Sequence, residues 1–366
     1  MAALVDSSPQ SRARQLKPGA NIRVLVVDDS VVIRRLVAQA LGEDPQLEVV
    51  GFAADGEAAL RRVKELRPDV ITLDLEMPVL GGLETLDRLK ALPEAPVVIM
   101  LSAATERGAL ATIEALSRGA SDYVAKSSSS HSPEQSLAGF RAELLPKIRQ
   151  FFLLPSSELE ISTRRPVKQT EASRLRFLPR AVVIGVSTGG PGALAEIMPM
   201  FPADFGLPVL IVQHMPPIFT RLLAERLNTL TPLHVEEAVE GALVEPGRVF
   251  IAPGNYHLTV RRNVEGAAVV ALHQSPPENS CRPSVDVLFR SAAEVYGGGV
   301  IAVVLTGMGL DGAQGAKELH SRGARVIAQD AASSVVWGMP SGVVNAGVAD
   351  AVVDLHRIVP EILRYV

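Results

Sequence analysis

AVVIGVSTGGPG (residues 181–192) is the stretch that decides how the carboxy-terminal half of the chain folds. It opens with six small or β-branched apolar residues and runs directly into Ser187, two glycines and Pro191. This pattern predicts a buried strand that turns sharply into a helix, because glycine allows the tight bend and proline suits the first helical turn. The spacing Gly185-x-Ser187-x-Gly189 matches a nucleophile elbow, in which the bend lifts a serine hydroxyl clear of the sheet. The stretch therefore predicts a nucleophilic Ser187 at the carboxyl edge of a parallel sheet.

On the motif alone, two other interpretations of this turn stay open. A dinucleotide-binding fold also turns on glycines, but its phosphate cradle has the spacing G-x-G-x-x-G, which residues 185–192 lack. A plain tight turn with an incidental serine is equally compatible with the sequence. A base and an orienting carboxylate elsewhere in the chain would favour the nucleophile.

Length and composition predict a cytoplasmic protein of two domains. The chain has 366 residues, of which 47% are hydrophobic and 4% aromatic, and domains commonly hold about 100–200 residues. The net charge of −4, from 36 Lys and Arg against 40 Asp and Glu, does not favour a nucleic-acid partner. Cys281 is the only cysteine, which excludes an internal disulfide framework and fits a reducing compartment. The sequence shows no signal peptide and predicts no direct membrane insertion.

Short apolar runs alternate with helical patterns between residues 21 and 126, as IRVLVV, LEVVGFA, VITLDL, VVIML and DYVA. This alternation predicts an α/β domain with a parallel sheet wound on both faces. Functional groups in such a sheet collect at the carboxyl ends of the strands. Those ends carry three acids, a hydroxyl and a lysine: Asp28, Asp29, Asp74, Ser102 and Lys126.

The three acids predict a phosphorylation site that binds a divalent cation. Carboxylates at one sheet edge repel each other unless a cation lies between them, and oxygen ligands favour Mg²⁺. Asp74 is then a plausible acceptor of a phosphoryl group, because the cation and Lys126 neutralise the transferring oxygens. Each acid alone also fits a simpler role, since Asp28 and Asp29 suit a helix cap and Asp74 suits the start of the turn before Pro78.

Residues 21–126 resemble a response-regulator receiver domain in the motifs VVDDS, LDLEMP and YVAK and in the serine that ends VVIMLS. The resemblance implies a flavodoxin-like fold and phosphorylation of Asp74 by a histidine kinase. Two positions depart from the family's usual pattern, Gly81 where aspartate is usual and Ser127 where proline is common, and both lie beside the phosphorylation chemistry. The resemblance also implies the remaining roles. The metal ligands would be Asp28, Asp29, Asp74 and the Glu76 backbone carbonyl. The receiver switch would consist of Ser102, whose hydroxyl follows the phosphoryl group, Tyr123, whose ring reorients, and Lys126.

Residues 127–180 predict a linker between two domains. SSSSHSPEQS is polar and rich in turn residues, and LAGFRAELLPKIRQFFLL predicts a helix that closes the first domain at about residue 153, interrupted at Pro146. Residues 155–180 show no periodicity and several prolines, which is typical of a tether.

Residues 181–366 repeat the alternation and predict a second parallel sheet, with an antiparallel excursion near residues 244–272. His214 directly follows the apolar run PVLIVQ, so it is expected at the same sheet edge as Ser187. Asp311 follows the run GVIAVVL on a glycine-rich loop. Less favoured alternatives are His257 for the base and Asp286 or Asp330 for the carboxylate.

Serine, histidine and aspartate at three strand ends predict a catalytic triad. A serine hydroxyl is a poor nucleophile at neutral pH, so His214 would take its proton and Asp311 would fix the imidazole tautomer. The chain order Ser, His, Asp differs from that of α/β-hydrolases, so another α/β fold is expected. Backbone N–H groups of residues 306–309, Met308 foremost, would hold the oxyanion, and Thr188 would hydrogen-bond His214.

The motifs IGVSTGGPGAL, VQHMPPIFT, APGNYHL, RPSVDVLF and LTGMGLDG closely resemble the catalytic domain of chemotaxis protein-glutamate methylesterases. The resemblance implies a Rossmann-like sheet and a serine hydrolase, activated by phosphorylation, that converts glutamate methyl esters to glutamate and methanol. Its substrates would be the methylated cytoplasmic helices of chemoreceptors, and deamidation of receptor glutamine would be a related activity. The esterase reaction would need no cofactor. The unphosphorylated receiver would lie over the mouth of the active site.

Two rival functions follow from the same layout. A receiver coupled to a DNA-binding domain would need a basic recognition helix, and residues 181–366 show strands and glycine loops instead. A protein that binds receptors as a scaffold, without turnover, is the second rival, and the complete set of serine, histidine and aspartate argues against it.

Overall fold

Strands and helices alternate along most of the chain. The computed structural model describes residues 14–15, 20–102, 105–126, 133–153 and 177–366. The strands are β1 (Arg14–Gln15), β2 (Ile22–Val27), β3 (Leu47–Ala53), β4 (Val70–Asp74), β5 (Val97–Ser102), β6 (Asp122–Ala125), β7 (Phe152–Leu153), β8 (Ala181–Val186), β9 (Val209–Gln213), β10 (His234–Glu237), β11 (Arg248–Ile251), β12 (His257–Arg262), β13 (Ala268–His273), β14 (Val300–Val304), β15 (Arg325–Gln329) and β16 (Ala351–Val353). The helices are α1 (Val31–Leu41), α2 (Gly56–Leu66), α3 (Gly82–Lys90), α4 (Glu106–Ser117), α5 (Pro133–Arg149), α6 (Gly190–Ile197), α7 (Phe219–Asn228), α8 (Val285–Tyr296), α9 (Ala313–Ser321), α10 (Met339–Asn345) and α11 (Ile358–Leu363), with short 3₁₀ helices at Met198–Met200 and Leu355–Arg357.

The amino-terminal sheet has five parallel strands in the order β3-β2-β4-β5-β6. Every residue of its middle strand β4 is buried, as expected for a parallel sheet covered on both faces. Because all five strands run the same way, the residues that follow β2, β4, β5 and β6 meet at one edge. The predicted doubly wound α/β fold is confirmed for this part of the chain.

The first helix shows which residue caps it. Ser30 is the N-cap of α1, and its hydroxyl accepts a hydrogen bond from the N–H of Ile33. Asp28 accepts a bond of 2.9 Å from the Ser30 N–H but does not cap the helix itself. The simpler role predicted for Asp28 and Asp29, as helix caps, therefore does not apply in this structure.

The carboxy-terminal sheet has seven parallel strands in the order β10-β11-β9-β8-β14-β15-β16. Strand β8 lies between β9 and β14, and all its residues are buried. The loops that follow these three central strands therefore share one edge of the sheet. The predicted second parallel sheet is confirmed, and its topology brings together the three segments that carry Ser187, His214 and Asp311.

The antiparallel excursion is a hairpin of β12 and β13, in which His257 pairs with His273. The run that begins at Arg248 was expected to take part in it, but β11 instead pairs in parallel with β9 and β10. Strand β12 ends in two exposed arginines and has only three fully buried residues, so its sequence gave little apolar signal. The short edge strands β10 and β16 were missed for the same reason.

Helix α5 closes the amino-terminal unit and continues through Pro146 rather than breaking there. Residues 127–132 and 154–176 of the predicted linker lie outside the described ranges. None of the helices in the described ranges is both long enough and apolar enough to cross a lipid bilayer.

The two sheet units pack against each other through α4, which contacts α6 and α7. One continuous apolar cluster includes Leu116 and Tyr123 from the first unit and Leu194 and Phe219 from the second. Removing such side chains from water stabilises this arrangement by roughly 25 cal/mol for each Å² of apolar surface. The packing places β6 of the first unit beside the loops at the active edge of the second.

Candidate active site

Ser187 follows β8 on a turn that only small residues fit. Its backbone N–H donates to the Thr306 carbonyl at 3.0 Å, which ties the turn to the loop after β14. Gly189 has φ of +77°, in the left-handed region that glycine adopts without strain. A Cβ atom on Gly307 would lie 2.7 Å from the Cβ of Ser187, so that loop approaches the serine as closely as a glycine backbone allows.

His214 lies at the end of the neighbouring strand β9, at the same sheet edge. Its N–H donates to the Val186 carbonyl at 3.2 Å, so its backbone lies beside the residue that precedes Ser187. The Gln213 side chain is buried, and its Nε2 donates to the carbonyls of Ser187 at 2.9 Å and His214 at 3.3 Å. One buried amide thus links the backbones of the predicted nucleophile and the predicted base.

Asp311 lies on the loop after β14 and contacts His214 directly, with 2.8 Å between Nε2 of the imidazole and Oδ2 of the carboxylate. The carboxylate is buried, so it needs donors to compensate for the loss of water. Three groups at the start of α8 donate to it: the Ser284 hydroxyl at 2.8 Å and the N–H groups of Val285 at 2.7 Å and Asp286 at 3.0 Å. The start of a helix suits an anion, and these bonds fix the carboxylate against His214.

The protonation states of His214 and Asp311 depend strongly on each other. Burial alone would lower the pKa of His214, but the hydrogen bonds of the imidazole with the Asp311 carboxylate and with Cys281 outweigh this effect and raise the pKa to about 9. Burial alone would raise the pKa of Asp311, yet the hydrogen bond and charge of His214 hold it well below its ordinary value. An imidazolium beside a carboxylate is therefore the favoured state of the pair at neutral pH.

The Ser187 hydroxyl and the His214 ring lie at one sheet edge but are not bonded to each other. Among the residues that the structure describes, no hydrogen bond joins the two side chains. The remaining ring nitrogen of His214, Nδ1, lies 3.7 Å from the Sγ atom of Cys281. The expected relay is therefore formed between base and carboxylate, and open between nucleophile and base.

The loop after β14 offers a free backbone donor. The N–H of Met308 has no acceptor among the described residues. Its neighbour Gly307 lies against Ser187, and Gly309 has φ of +82°, which turns the chain sharply after Met308. An unpaired N–H beside a nucleophile is what an oxyanion site requires, so the geometry is compatible with the predicted role of Met308.

Thr188 does not hydrogen-bond His214, contrary to expectation. Its hydroxyl donates instead to Oδ2 of Asp122 at 3.1 Å, and it also lies 3.2 Å from Oε1 of Gln150. Both partners belong to the amino-terminal unit. The sequence around Thr188 does not reveal these contacts, because the partners lie 66 and 38 residues away along the chain.

The alternative base and carboxylates have structural roles. The His257 ring is buried, with Nδ1 accepting from the N–H of Ser284 at 3.2 Å, and burial lowers its pKa. Asp286 accepts a bond of 2.7 Å from the Gly315 N–H, which joins α8 to α9. Asp330 accepts from the Ser333 N–H at 2.9 Å and closes a turn. None of these bonds involves Ser187 or His214.

A cavity of about 440 Å³ opens beside the imidazole of His214. Its walls come from the carboxy-terminal unit alone, namely residues 214–217, Asn255 and residues 280–283. The guanidinium of Arg282 is fixed there by bonds to the Asn255 side chain and to the carbonyls of Gln274 and Ser275. The cavity is large enough for a small ester-bearing side chain to reach the base.

The amino-terminal unit gathers the predicted acids at the ends of β2 and β4. Carboxylate oxygens of Asp28, Asp29 and Asp74 lie within 4.8 Å of one another. The Lys126 Nζ atom lies 2.8 Å from both Asp28 and Asp74. Burial raises the pKa of Asp74, while Lys126 acts in the opposite direction. An all-oxygen set of this size fits a divalent cation such as Mg²⁺, with the ammonium balancing part of the negative charge.

The other residues predicted for this unit lie in distinct surroundings. The Ser102 hydroxyl is buried and lies between the Thr112 hydroxyl at 2.6 Å and the Gly108 carbonyl at 3.2 Å. Tyr123 is buried, and its ring stacks on Phe219 of the other unit with 4.7 Å between ring centroids. The Glu76 side chain is exposed, and the metal role of its carbonyl stays a prediction.

Several residues of the site could not be predicted from the sequence, because an isolated polar residue belongs to no periodic pattern of hydrophobicity. They are Gln213, which bonds to two carbonyls, Cys281, which lies beside His214, Asn279, which donates to Asp311 at 2.9 Å, and Asp122, which binds Thr188. The position of Gln213 at a strand end, directly before His214, was the one signal available.

Both parts of the chain match known families. The model of the CheB methylesterase family matches residues 182–362, and that of the response regulator receiver domain matches residues 24–136. A protein-glutamate methylesterase/protein-glutamine glutaminase from Trichodesmium erythraeum is 46% identical over 346 residues, which cover 93% of this chain and 98% of that protein. A protein of the same name from a Nocardioides species is 48% identical over 94% of this chain and 95% of the relative.

A solved structure supports the same comparison for the carboxy-terminal unit. The CheB methylesterase catalytic domain of Thermotoga maritima is 44% identical, with a TM-score of 0.50, over 51% of this chain and 99% of that chain. The similarity thus extends across the whole of that domain.

Proposed function

Because this chain belongs to the CheB methylesterase family, we propose that it is a phosphorylation-activated serine hydrolase that removes methyl groups from glutamate side chains of chemoreceptors. It is also a protein-glutamine glutaminase, which converts receptor glutamine to glutamate. The observation that carries this proposal is the 2.8 Å contact of His214 with Asp311 at the sheet edge that also holds Ser187.

The reaction uses Ser187 as the nucleophile and His214 as base and acid. The Oγ atom of Ser187 attacks the ester carbonyl carbon while Nδ1 of His214 takes its proton, because Nε2 is already bonded to Asp311. The bond to the methoxy oxygen then breaks, and His214 returns the proton so that methanol leaves. Water, activated by the same imidazole, hydrolyses the acyl-enzyme to glutamate. With glutamine, the same steps release ammonia.

Met308 and Asp311 support these steps by electrostatics. The Met308 N–H binds the oxygen that becomes negative in the tetrahedral intermediate; losing one such donor typically costs about 10²–10³ in rate. Asp311 stabilises the imidazolium that forms when His214 takes the proton. The cavity beside His214 admits the methylated side chain.

The receiver controls this chemistry through Asp74. A histidine kinase supplies the phosphoryl group. Asp28, Asp29, Asp74 and the Glu76 carbonyl would hold Mg²⁺, and its positive charge would offset the negative charge of the phosphoryl oxygens. Lys126 adds a second positive charge at 2.8 Å from Asp74. Ser102 follows the phosphoryl group and Tyr123 reorients. The unphosphorylated receiver covers the active-site mouth. Phosphorylation shifts the protein toward the open state to the extent that the phosphoryl group stabilises that state relative to the covered one.

The proposed organisation is a receiver at residues 21–126, a linker at 127–180 and a catalytic domain at 181–366. The protein acts in the cytoplasm, where the methylated helices of chemoreceptors and the kinase are its partners.

Methanol release from methylated receptor tests the proposal directly. The full chain is assayed with and without a small-molecule phosphodonor, beside the variant Ser187→Ala. We expect release by the parent protein, stimulation by the phosphodonor, and no release by Ser187→Ala. Receptor binding without methanol would indicate a scaffold, and release by Ser187→Ala would assign the nucleophile to another residue.

A further inference from the structure

Two adjacent receiver residues, Asp122 and Tyr123, touch the two loops that carry the nucleophile and the base. Asp122 accepts the hydrogen bond from Thr188, which directly follows Ser187. The contact is buried, so water does not compete for it. Lys147, in the last turn of α5, at 3.0 Å and Gln150, directly after that helix, at 3.3 Å fix the carboxylate of Asp122 in place.

Tyr123 acts on the second loop. Its ring stacks on Phe219, with 4.7 Å between centroids and 26° between planes. Phe219 begins α7 only five positions after His214. The residue between this stacked ring and the prolines of that loop, Ile218, has φ of +74°, a conformation that costs free energy for a β-branched side chain. The loop that leaves His214 is therefore held in a strained form at the point where the receiver contacts it.

The same receiver strand begins with Asp122 and leads to the phosphorylation site. Strand β6 runs from Asp122 to Ala125, and the next residue, Lys126, lies 2.8 Å from Asp74. A change at Asp74 thus reaches Asp122 and Tyr123 along one short strand. Covering the mouth alone does not explain this arrangement, since the described walls of the cavity beside His214 belong entirely to the catalytic domain.

We propose that Asp122 is a positioning residue that, through Thr188 and together with the stacking of Tyr123 on Phe219, holds the Ser187 loop and the His214 loop out of catalytic alignment in the unphosphorylated protein. The open relay between Ser187 and His214 is the state that this hold maintains. Phosphorylation then activates by aligning nucleophile and base as well as by uncovering the mouth. This inference rests on the proposed function and names how that same site is regulated.

A small ester substrate distinguishes misalignment of Ser187 and His214 from restricted access to the active site. A nitrophenyl acetate enters a partly covered site, so covering the mouth affects its turnover little, whereas misalignment lowers kcat for any ester. The full chain carrying Asp122→Ala is assayed without phosphodonor. We expect kcat to rise about three- to tenfold, the range in which one buried hydrogen bond shifts a two-state equilibrium, with KM unchanged. The phosphodonor should then add correspondingly less.

A second variant and a control keep the test decisive. Phe219→Leu removes the stacked ring and should also raise kcat. It keeps the test open if Asp122→Ala folds poorly because Lys147 loses its carboxylate partner. Glu106→Gln breaks the ion pair between Glu106 and Arg221, which crosses the same interface without touching either loop, and should leave kcat for the small ester at the parent value.

Unchanged kcat for the small ester in both folded variants, or a fall in kcat, would overturn the inference. An equal rise in Glu106→Gln would also overturn it, because general loosening of the interface would then explain the effect. If the phosphorylated parent protein releases methanol from receptor, but both unphosphorylated variants keep the kcat of the unphosphorylated parent on the small ester, only this inference fails. If the parent releases no methanol, the proposed function itself fails.

Discussion

The side-chain amide of Gln213 donates a hydrogen bond of 2.9 Å to the backbone carbonyl of Ser187, and the same nitrogen lies 3.3 Å from the carbonyl of His214. Gln213→Leu removes both bonds at nearly constant volume. We expect kcat for ester hydrolysis to fall about tenfold with KM unchanged, because small misplacements of catalytic groups are costly. Steady-state kinetics of the full chain measures this.

Stability alone does not account for the expected loss. Removing a buried hydrogen bond lowers the free energy of unfolding by about 1–3 kcal/mol, and Ser291→Ala provides the comparison. The Ser291 hydroxyl is buried, accepts a bond of 3.1 Å from the Val260 N–H and donates one of 2.8 Å to the Leu288 carbonyl, away from Ser187 and His214. This variant should lose similar stability in a chemical denaturation experiment and keep its kcat. A kcat that falls equally in both variants would show that Gln213 has no special role.

Gly307 is expected to tolerate no side chain. A Cβ atom there would lie 2.4 Å from Sδ of Met339 and 2.7 Å from Cβ of Ser187, and Met339 is fully buried. Gly307→Ala should lower the free energy of unfolding by about 1–3 kcal/mol and reduce kcat by at least about tenfold, since the serine must move. Gly206→Ala is the control, because a Cβ there meets nothing within 4 Å. Full activity in Gly307→Ala would contradict the close approach.

Asp74→Asn separates regulation from chemistry. The asparagine cannot accept the phosphoryl group. Within the described residues, the Asp74 side chain contacts Lys126 and the Leu75 N–H and no group of the esterase site, so basal methanol release should persist while stimulation by a phosphodonor disappears. Asp87→Asn is the control, since Asp87 pairs with Arg118 on the surface of the same domain and should leave stimulation intact. Loss of basal turnover in a folded Asp74→Asn protein would contradict this division of roles.

The sequence allowed the catalytic edge to be predicted because parallel strands impose a simple geometry. Ser187, His214 and Asp311 each follow an apolar run, and strands that run the same way end at the same edge. The acids of the receiver follow the same logic, and Asp28, Asp29 and Asp74 do lie together. Predictions of this kind require only strand direction and strand ends, which periodicity supplies.

Contacts between side chains from distant segments could not be predicted from the sequence. Thr188 was expected to bond to His214, its neighbour at the sheet edge, but its hydroxyl reaches Asp122 of the receiver. The choice depends on how α4 packs against α6 and α7, and no local pattern encodes that packing. From the sequence, Cys281 indicates only a reducing compartment, whereas in the structure its thiol lies beside the imidazole of His214.

The pKa of His214 predicts how activity depends on pH. Burial lowers this pKa, but the contacts with Asp311 and Cys281 raise it by a larger amount, so that it lies at about 9. A base must be neutral to take the serine proton, so kcat/KM of the unphosphorylated protein should rise with pH through about 9. Cys281→Ala removes one of the contacts that raise the pKa of His214. Burial, which lowers this pKa, is then less opposed, so the pKa falls and the rise of kcat/KM occurs at lower pH. Activity near neutral pH should therefore increase in the variant. Profiles of kcat/KM between about pH 6 and pH 10 measure this rise in the parent and in the variant. The control is His234→Ala, whose exposed side chain should leave the midpoint of the rise unchanged. A midpoint that Cys281→Ala does not move would show that the thiol has no influence on the base.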